Sequence, residues 1–202
     1  MINNEELIMA TYGSVLSKRS IIYCSTPITD GKELLNWWTS IDHELDNTES
    51  YIECIRRNKK YATRLVKKIK DIVTSPVIYP LAIPRFPSDD YDENDSLNLW
   101  VDVIKKYAHT VVFANGWEYS FLSVNHFLVA QSNCINCSDE NLKIFDVRQG
   151  IELIESAIIL LKEKELHSKA FGIEDILVQV KSLKVPDTRC VEDKIVDLSQ
   201  SV

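Results

Sequence analysis

Residues 114–123 place a glycine, an acid and two serines directly after a short apolar run. Gly116 allows the backbone to approach a ligand closely, because glycine has no Cβ. Ser120 and Ser123 follow at the start of a predicted helix, where hydroxyls and backbone N–H groups suit an anion such as a 5′-phosphate. The alternative is that Ser120 only caps this helix. The segment therefore predicts either an anion site or a capped helix start.

Cysteines are the second group of residues that could do chemistry, and the chain has five of them, at Cys24, Cys54, Cys134, Cys137 and Cys190. Cys134 and Cys137 have the spacing of a redox or zinc pair. Neither a second such pair nor a histidine pair at zinc-finger spacing accompanies them. We interpret all five as reduced thiols and residues 134–137 as a loop. The sequence predicts no metal site and no cofactor.

Short apolar runs alternate with amphipathic segments along the chain, which is typical of alternating strands and helices. Strands are predicted near residues 21–24, 77–79, 111–114 and 143–145. The predicted helices cover residues 49–74, 97–107 with Ser96 as its cap, 118–131, 147–166 and 173–183. This order indicates an α/β fold of the Rossmann or flavodoxin type, with an open, mainly parallel sheet of four or five strands flanked by helices. We expect one domain over residues 1–185 and a polar tail over 186–202.

Ligands of such sheets bind outside the carboxyl ends of the strands. The loop after the first predicted strand, residues 25–31, and the loop after the third, residues 115–120, both lie there. We therefore expect these two loops to face each other across a pocket.

Charge and hydropathy argue against nucleic-acid-binding, membrane-spanning and secreted proteins. The net charge of −7 disfavours general nucleic-acid binding. The basic residues between positions 56 and 70 are interpreted as a solvated helix face, with a phosphate surface as the alternative. No apolar stretch approaches the roughly 20 residues that span a bilayer. The first residues lack the basic start and apolar run of a secretory signal. We expect a cytoplasmic protein that does not bind membranes.

Three motifs resemble those of the nucleoside 2-deoxyribosyltransferase-like superfamily, which includes transferases and nucleotide N-hydrolases. They are YCSTPITDG (residues 23–31), NKKYATRLVKKI (58–69) and ANGWEYSFLS (114–123), and the match spans roughly residues 20–145. The resemblance implies an N-glycosidase or (deoxy)ribosyltransferase-like enzyme that acts on the base–sugar bond of a nucleoside or nucleotide. The substrate-binding residues that it implies are Tyr23, Ser25, Thr26, Pro27, Gly31, Gly116, Trp117, Ser120 and Ser123.

The chain departs from this family at the catalytic positions. The family's glutamate lies six residues after the serine, where this chain has His126, and an aspartate usual at the start of the preceding strand is replaced by His109. Loss of a base leaves positive charge on the sugar, which a carboxylate stabilises. A protonated histidine would repel that charge, whereas a neutral one could serve as a general base for water. Glu118 and Asp30 are candidate replacement carboxylates, although the first helical turn by itself would favour an ionised Glu118.

Three questions stay open from the sequence. Six residues of helix between Ser120 and His126 turn through about 600°, so His126 reaches the pocket only if the ligand spans the angle between them. Otherwise His126 makes a core contact. The alternative function is a catalytically impaired nucleotide-binding relative that acts through a protein partner. Homo-oligomers also remain open.

Overall fold

A parallel sheet forms the centre of the chain. The computed structural model describes residues 4–40, 48–80 and 93–183. Within these ranges the strands are β1 (Ile21–Ser25), β2 (Val77–Ile78), β3 (Ala108–Phe113) and β4 (Asn136–Ser138). They pair in the order β2-β1-β3-β4, and all three pairings are parallel. The predicted α/β class with an open parallel sheet is confirmed. The predicted polar tail, residues 186–202, lies outside the described residues.

Helices flank this sheet. In the described part of the chain they are α1 (Asn4–Val15), α2 (Lys32–Ser40), α3 (Thr48–Lys70), α4 (Glu93–Tyr107), α5 (Phe121–Ser132), α6 (Val147–Glu163) and α7 (His167–Ser182). The sequence predicted neither α1 nor α2. Because α4 begins at Glu93, Ser96 lies inside the helix that it was expected to cap. The last helix, α7, begins six residues earlier than expected.

The central strand β1 is buried on both faces. Ile21 and Tyr23 belong to a large cluster that includes residues of α4 and α5. Ile22 and Cys24 point the other way, into a smaller cluster with residues of α3. A strand covered on both faces reads as an unbroken apolar run, and this is why β1 could be predicted directly.

The prediction of the fourth strand at residues 143–145 is wrong. The strand is β4, which pairs with β3 through Thr110–Val112. After β4 the chain turns at Asp139, whose side chain accepts hydrogen bonds from two backbone N–H groups of the turn. Ile144 then forms an isolated antiparallel bridge with Ser138, and Phe145 N–H donates to Cys137 O at 3.0 Å. The apolar segment therefore folds back beside β4 instead of extending the parallel sheet.

Close packing of α6 fixes the position of α5. A capping box between Asp146 and Gln149 starts α6. A Cβ at Gly150 would lie 2.2 Å from Phe127 Cζ, so only a glycine lets α6 approach the α5 ring this closely. Phe127 in turn packs on Trp117, with ring centroids 5.2 Å apart. This packing holds α5 and the loop before it against the carboxyl end of the sheet.

Candidate functional site

The loops after β1 and β3 touch each other. Gly31 and Gly116 have φ angles of 84° and 80°, in the left-handed region that favours glycine. A Cβ at Gly116 would lie 2.5 Å from Lys32 Cβ, and a Cβ at Gly31 would lie 2.6 Å from Pro27 Cβ. The two loops therefore lie against each other at these positions, and the expected pocket beside them stays a prediction. The two glycines let the backbones meet directly.

Asn58 holds the first loop in place from α3. Its side-chain amide donates to Ile28 O at 2.9 Å and to Asp30 O at 3.2 Å. Asn58 is buried although it lies in the middle of a strongly basic helix. Asn58 opens the second of the three resembling motifs, but it was not among the predicted site residues. The sequence does carry a signal for this role, because Asn58 is an uncharged polar residue on the apolar face of a basic helix.

His126 reaches the end of β1 from α5. Its Nδ1 lies 2.9 Å from Ser25 Oγ, and both residues are at most 1% exposed. The ring of Tyr23 meets the imidazole edge-on, with centroids 5.1 Å apart. Burial lowers the pKa of His126 from 6.5 to about 3, so the imidazole is neutral at pH 7. The structure thus brings together three predicted site residues at the carboxyl end of β1.

In the part of the chain that the structure describes, several buried polar atoms of β1, the loop after it and α5 have no hydrogen-bond partner. They are Tyr23 Oη, Thr26 Oγ1 and His126 Nε2. Buried polar groups are nearly always paired, so each unpaired one calls for a ligand, a water or a chemical role. In the tautomer whose Nδ1–H donates to Ser25, His126 Nε2 carries a free lone pair and can accept a proton.

Ser120 caps α5. Its Oγ accepts a hydrogen bond from Ser123 N–H at 3.2 Å, and both serines are buried. The capping role weighed in the sequence analysis is therefore present in the structure. This bond uses only a lone pair of Ser120 Oγ, so the hydroxyl can still donate its own hydrogen to an anion. A bulky residue at position 120 would also cost stability, because the site is buried and the cap would be lost.

Glu118 lies in a separate 3-10 helix, Trp117–Tyr119, which precedes α5. The expected position in the first turn of α5 is corrected. Burial raises the pKa of Glu118 above 4.5, while its own backbone N–H and the charge of Lys32 act in the opposite direction. Burial, and not the helix dipole expected from the sequence, therefore has the largest effect on the pKa of Glu118. Trp117, predicted to bind substrate, is buried against Phe113, with ring centroids 4.6 Å apart.

Other candidates lie away from this arrangement. His109 is at the amino end of β3, where its ring nitrogens bond Thr110 Oγ1 at 2.9 Å and Ser75 Oγ at 3.3 Å. Residues 134–137 are not all loop, because Cys137 is buried in β4, where burial raises its pKa to about 12. Among the described residues, no three His, Cys, Asp or Glu side chains cluster as metal ligands would. No described helix is long and apolar enough to span a membrane.

Comparisons of the chain with protein-family models, with curated proteins and with solved structures found no match.

Proposed function

We propose that the chain binds a nucleoside or nucleotide at the carboxyl edge of the sheet and cleaves its base–sugar bond. The observation that supports this is the buried, neutral His126, bonded to Ser25 through Nδ1 and left with an unpaired Nε2. The resemblance of the loops to the nucleoside 2-deoxyribosyltransferase-like superfamily supplies the substrate class. A parallel sheet with both loops at its carboxyl edge agrees with ligand binding at that edge.

The reaction follows from the chemistry of these groups. Water attacks C1′ of the sugar, and His126 Nε2 takes a proton from that water. The bond between C1′ and the base nitrogen breaks, and its electron pair stays on the base. Glu118 gives a proton to the departing base, and its raised pKa keeps part of this carboxyl protonated above pH 4.5. In a transfer reaction a second free base takes the place of water, and its ring nitrogen forms the new bond to C1′.

The pH dependence of this scheme has a definite sign. Glu118 acts in its protonated form, so base release falls as the pH rises through the pKa of Glu118. His126 acts in its neutral form, which its pKa of about 3 maintains at every pH above about 4. Above about pH 4 the only change expected from these two groups is therefore the fall in base release as Glu118 loses its proton.

One observation favours the alternative of a catalytically impaired nucleotide-binding protein that acts through a partner. An imidazole with a pKa of about 3 is a weak base at pH 7. In addition, no carboxylate of the described residues bonds His126 and orients it as a stronger base. In this alternative the chain binds the nucleotide but does not cleave it.

A panel of nucleosides, nucleoside monophosphates and dinucleotides distinguishes the two functions. Each compound is incubated with the protein, free base is measured by chromatography, and binding is measured in parallel by calorimetry. Binding with base release supports the enzyme. Binding without base release supports the alternative. If none of the compounds binds, both proposals fail.

A further inference from the structure

A carboxylate from the turn after β4 is held by donors from two other elements. The phenol of Tyr61, in α3, donates to Glu140 Oε2. The backbone N–H of Asn115, just after β3, lies 3.3 Å from the same oxygen and 3.3 Å from Tyr61 Oη. These three residues meet at the carboxyl edge of the sheet, on the side that α3 covers. Glu140 belongs to none of the motifs used above.

A cation lies against the turn that carries Glu140. Lys68 Nζ donates to the main-chain oxygen of Glu140 at 3.3 Å and to Asn141 Oδ1 at 2.9 Å. Lys68 is two helical turns after Tyr61, and Arg64 lies between them on the same stripe of α3. The stripe is therefore locally positive in a chain whose net charge is −7.

Hydrogen-bond donors of these kinds also bind oxyanions such as phosphate. A phenol O–H and a backbone N–H meet on one carboxylate oxygen of Glu140, and an ammonium group bonds the main-chain oxygen of the same residue. Burial and the hydrogen bond to Glu140 raise the pKa of Tyr61 to about 12, so the phenol keeps its proton at neutral pH. Donors that remain protonated would hold a phosphate in the same way as they hold Glu140.

One buried hydroxyl on the same side of the sheet has no partner in the described part of the chain. Ser138, two residues before Glu140, pairs in register with Val112, which packs under α3. Its Oγ is buried and unpaired. An oxyanion entering from this edge would give it an acceptor.

We propose that Tyr61, Asn115 N–H and Lys68 form a binding site for phosphate or a phosphate monoester, and that Glu140 is an internal ligand which the phosphate displaces. Glu140 is only half-buried and lies on a turn, so its side chain can rotate outwards without unfolding its neighbours. The site is separate from His126, and it is expected whether or not the chain cleaves a base–sugar bond.

Calorimetric titration with inorganic phosphate tests this site. Glu140→Ala removes the internal ligand and should bind phosphate about tenfold more tightly than the wild type, because two donors become free. The double variant Glu140→Ala/Tyr61→Phe should return to within about threefold of the wild type. Glu163→Ala removes one exposed negative charge from α6 and should leave phosphate affinity unchanged. Glu140→Ser repeats the first measurement with a polar replacement.

Two results would overturn the proposal. One is equal phosphate affinity in the wild type and in both Glu140 variants. The other is a gain that survives Tyr61→Phe, since it would then reflect charge removal alone. Ribose 5-phosphate and ribose identify the source of the phosphate. A gain with ribose 5-phosphate indicates a monoester, a gain with inorganic phosphate only indicates the free ion, and a gain with ribose itself contradicts an anion site.

Discussion

The imidazole of His126 is held neutral by burial, and this couples folding to pH. Its folded-state pKa of about 3 lies below the ordinary histidine pKa of 6.5, so the unfolded chain binds the extra proton. Stability from this group is full above pH 6.5 and is lost as the pH falls towards 3. At pH 5 the loss relative to pH 8 is about 2 kcal/mol.

Urea unfolding at both pH values measures this loss. His126→Gln cannot take up a proton in this range, so its stability should fall by about 2 kcal/mol less than that of the wild type between pH 8 and pH 5. The comparison removes the contribution of the other titrating groups. Identical pH dependence in the two proteins would mean that His126 titrates near its ordinary pKa.

A carboxylate in place of His126 should speed base release. His126→Glu returns the group that stabilises positive charge on the sugar, and the hydroxyl of Ser25, now 2.9 Å from His126 Nδ1, can donate to it. We expect a rate at least about tenfold above that of the wild type. Chromatography of the released base measures it. A rate equal to that of His126→Ala would show that position 126 does not face the sugar.

The sequence identified His126 but could not establish its contacts. A helical rotation of about 600° left two positions open, and only the packing of α5 on the sheet decides between them. The structure puts the ring against Ser25 and Tyr23, within the core and also at the end of β1. The pKa of Glu118 was equally out of reach, because it depends on burial by residues distant in sequence.

At the scale of elements, the contact between the two loops can be tested through Gly116. Alanine there would have φ near 80° and a Cβ 2.5 Å from Lys32 Cβ. A left-handed conformation costs an L-residue about 1–2 kcal/mol, and the clash adds to this cost. Gly116→Ala should therefore lower the free energy of unfolding by about 2 kcal/mol or more, as measured by urea denaturation.

Gly172→Ala is the matched control. Gly172 lies inside α7, where alanine favours the helix by about 1 kcal/mol, and its Cβ would meet only the exposed ring of Phe121 at 3.3 Å. We expect no loss of stability. If Gly116→Ala were as stable as this control, the two loops would not pack as described.

Strands with strong local signals were predicted well, and strands that depend on distant partners were not. β1 carries a continuous apolar run, so its sequence alone was sufficient. β4 consists of Asn136, Cys137 and Ser138, and its position is set by pairing with β3. The more apolar residues 143–145 attracted the prediction, although the turn at Asp139 directs them back along β4. Long-range pairing of this kind leaves no periodicity in the sequence.

For the molecule as a whole, the central claim is that a neutral His126 at the carboxyl edge of a parallel sheet supports cleavage of a base–sugar bond. The direct test is the rate of base release at pH 7 by the wild type, His126→Gln and His167→Gln, with the best substrate of the panel. His167 is exposed at the start of α7 and controls for loss of a histidine. We predict a rate at least about a hundredfold lower in His126→Gln, with binding within about tenfold, and an unchanged rate in His167→Gln. Equal rates in all three proteins would contradict the account.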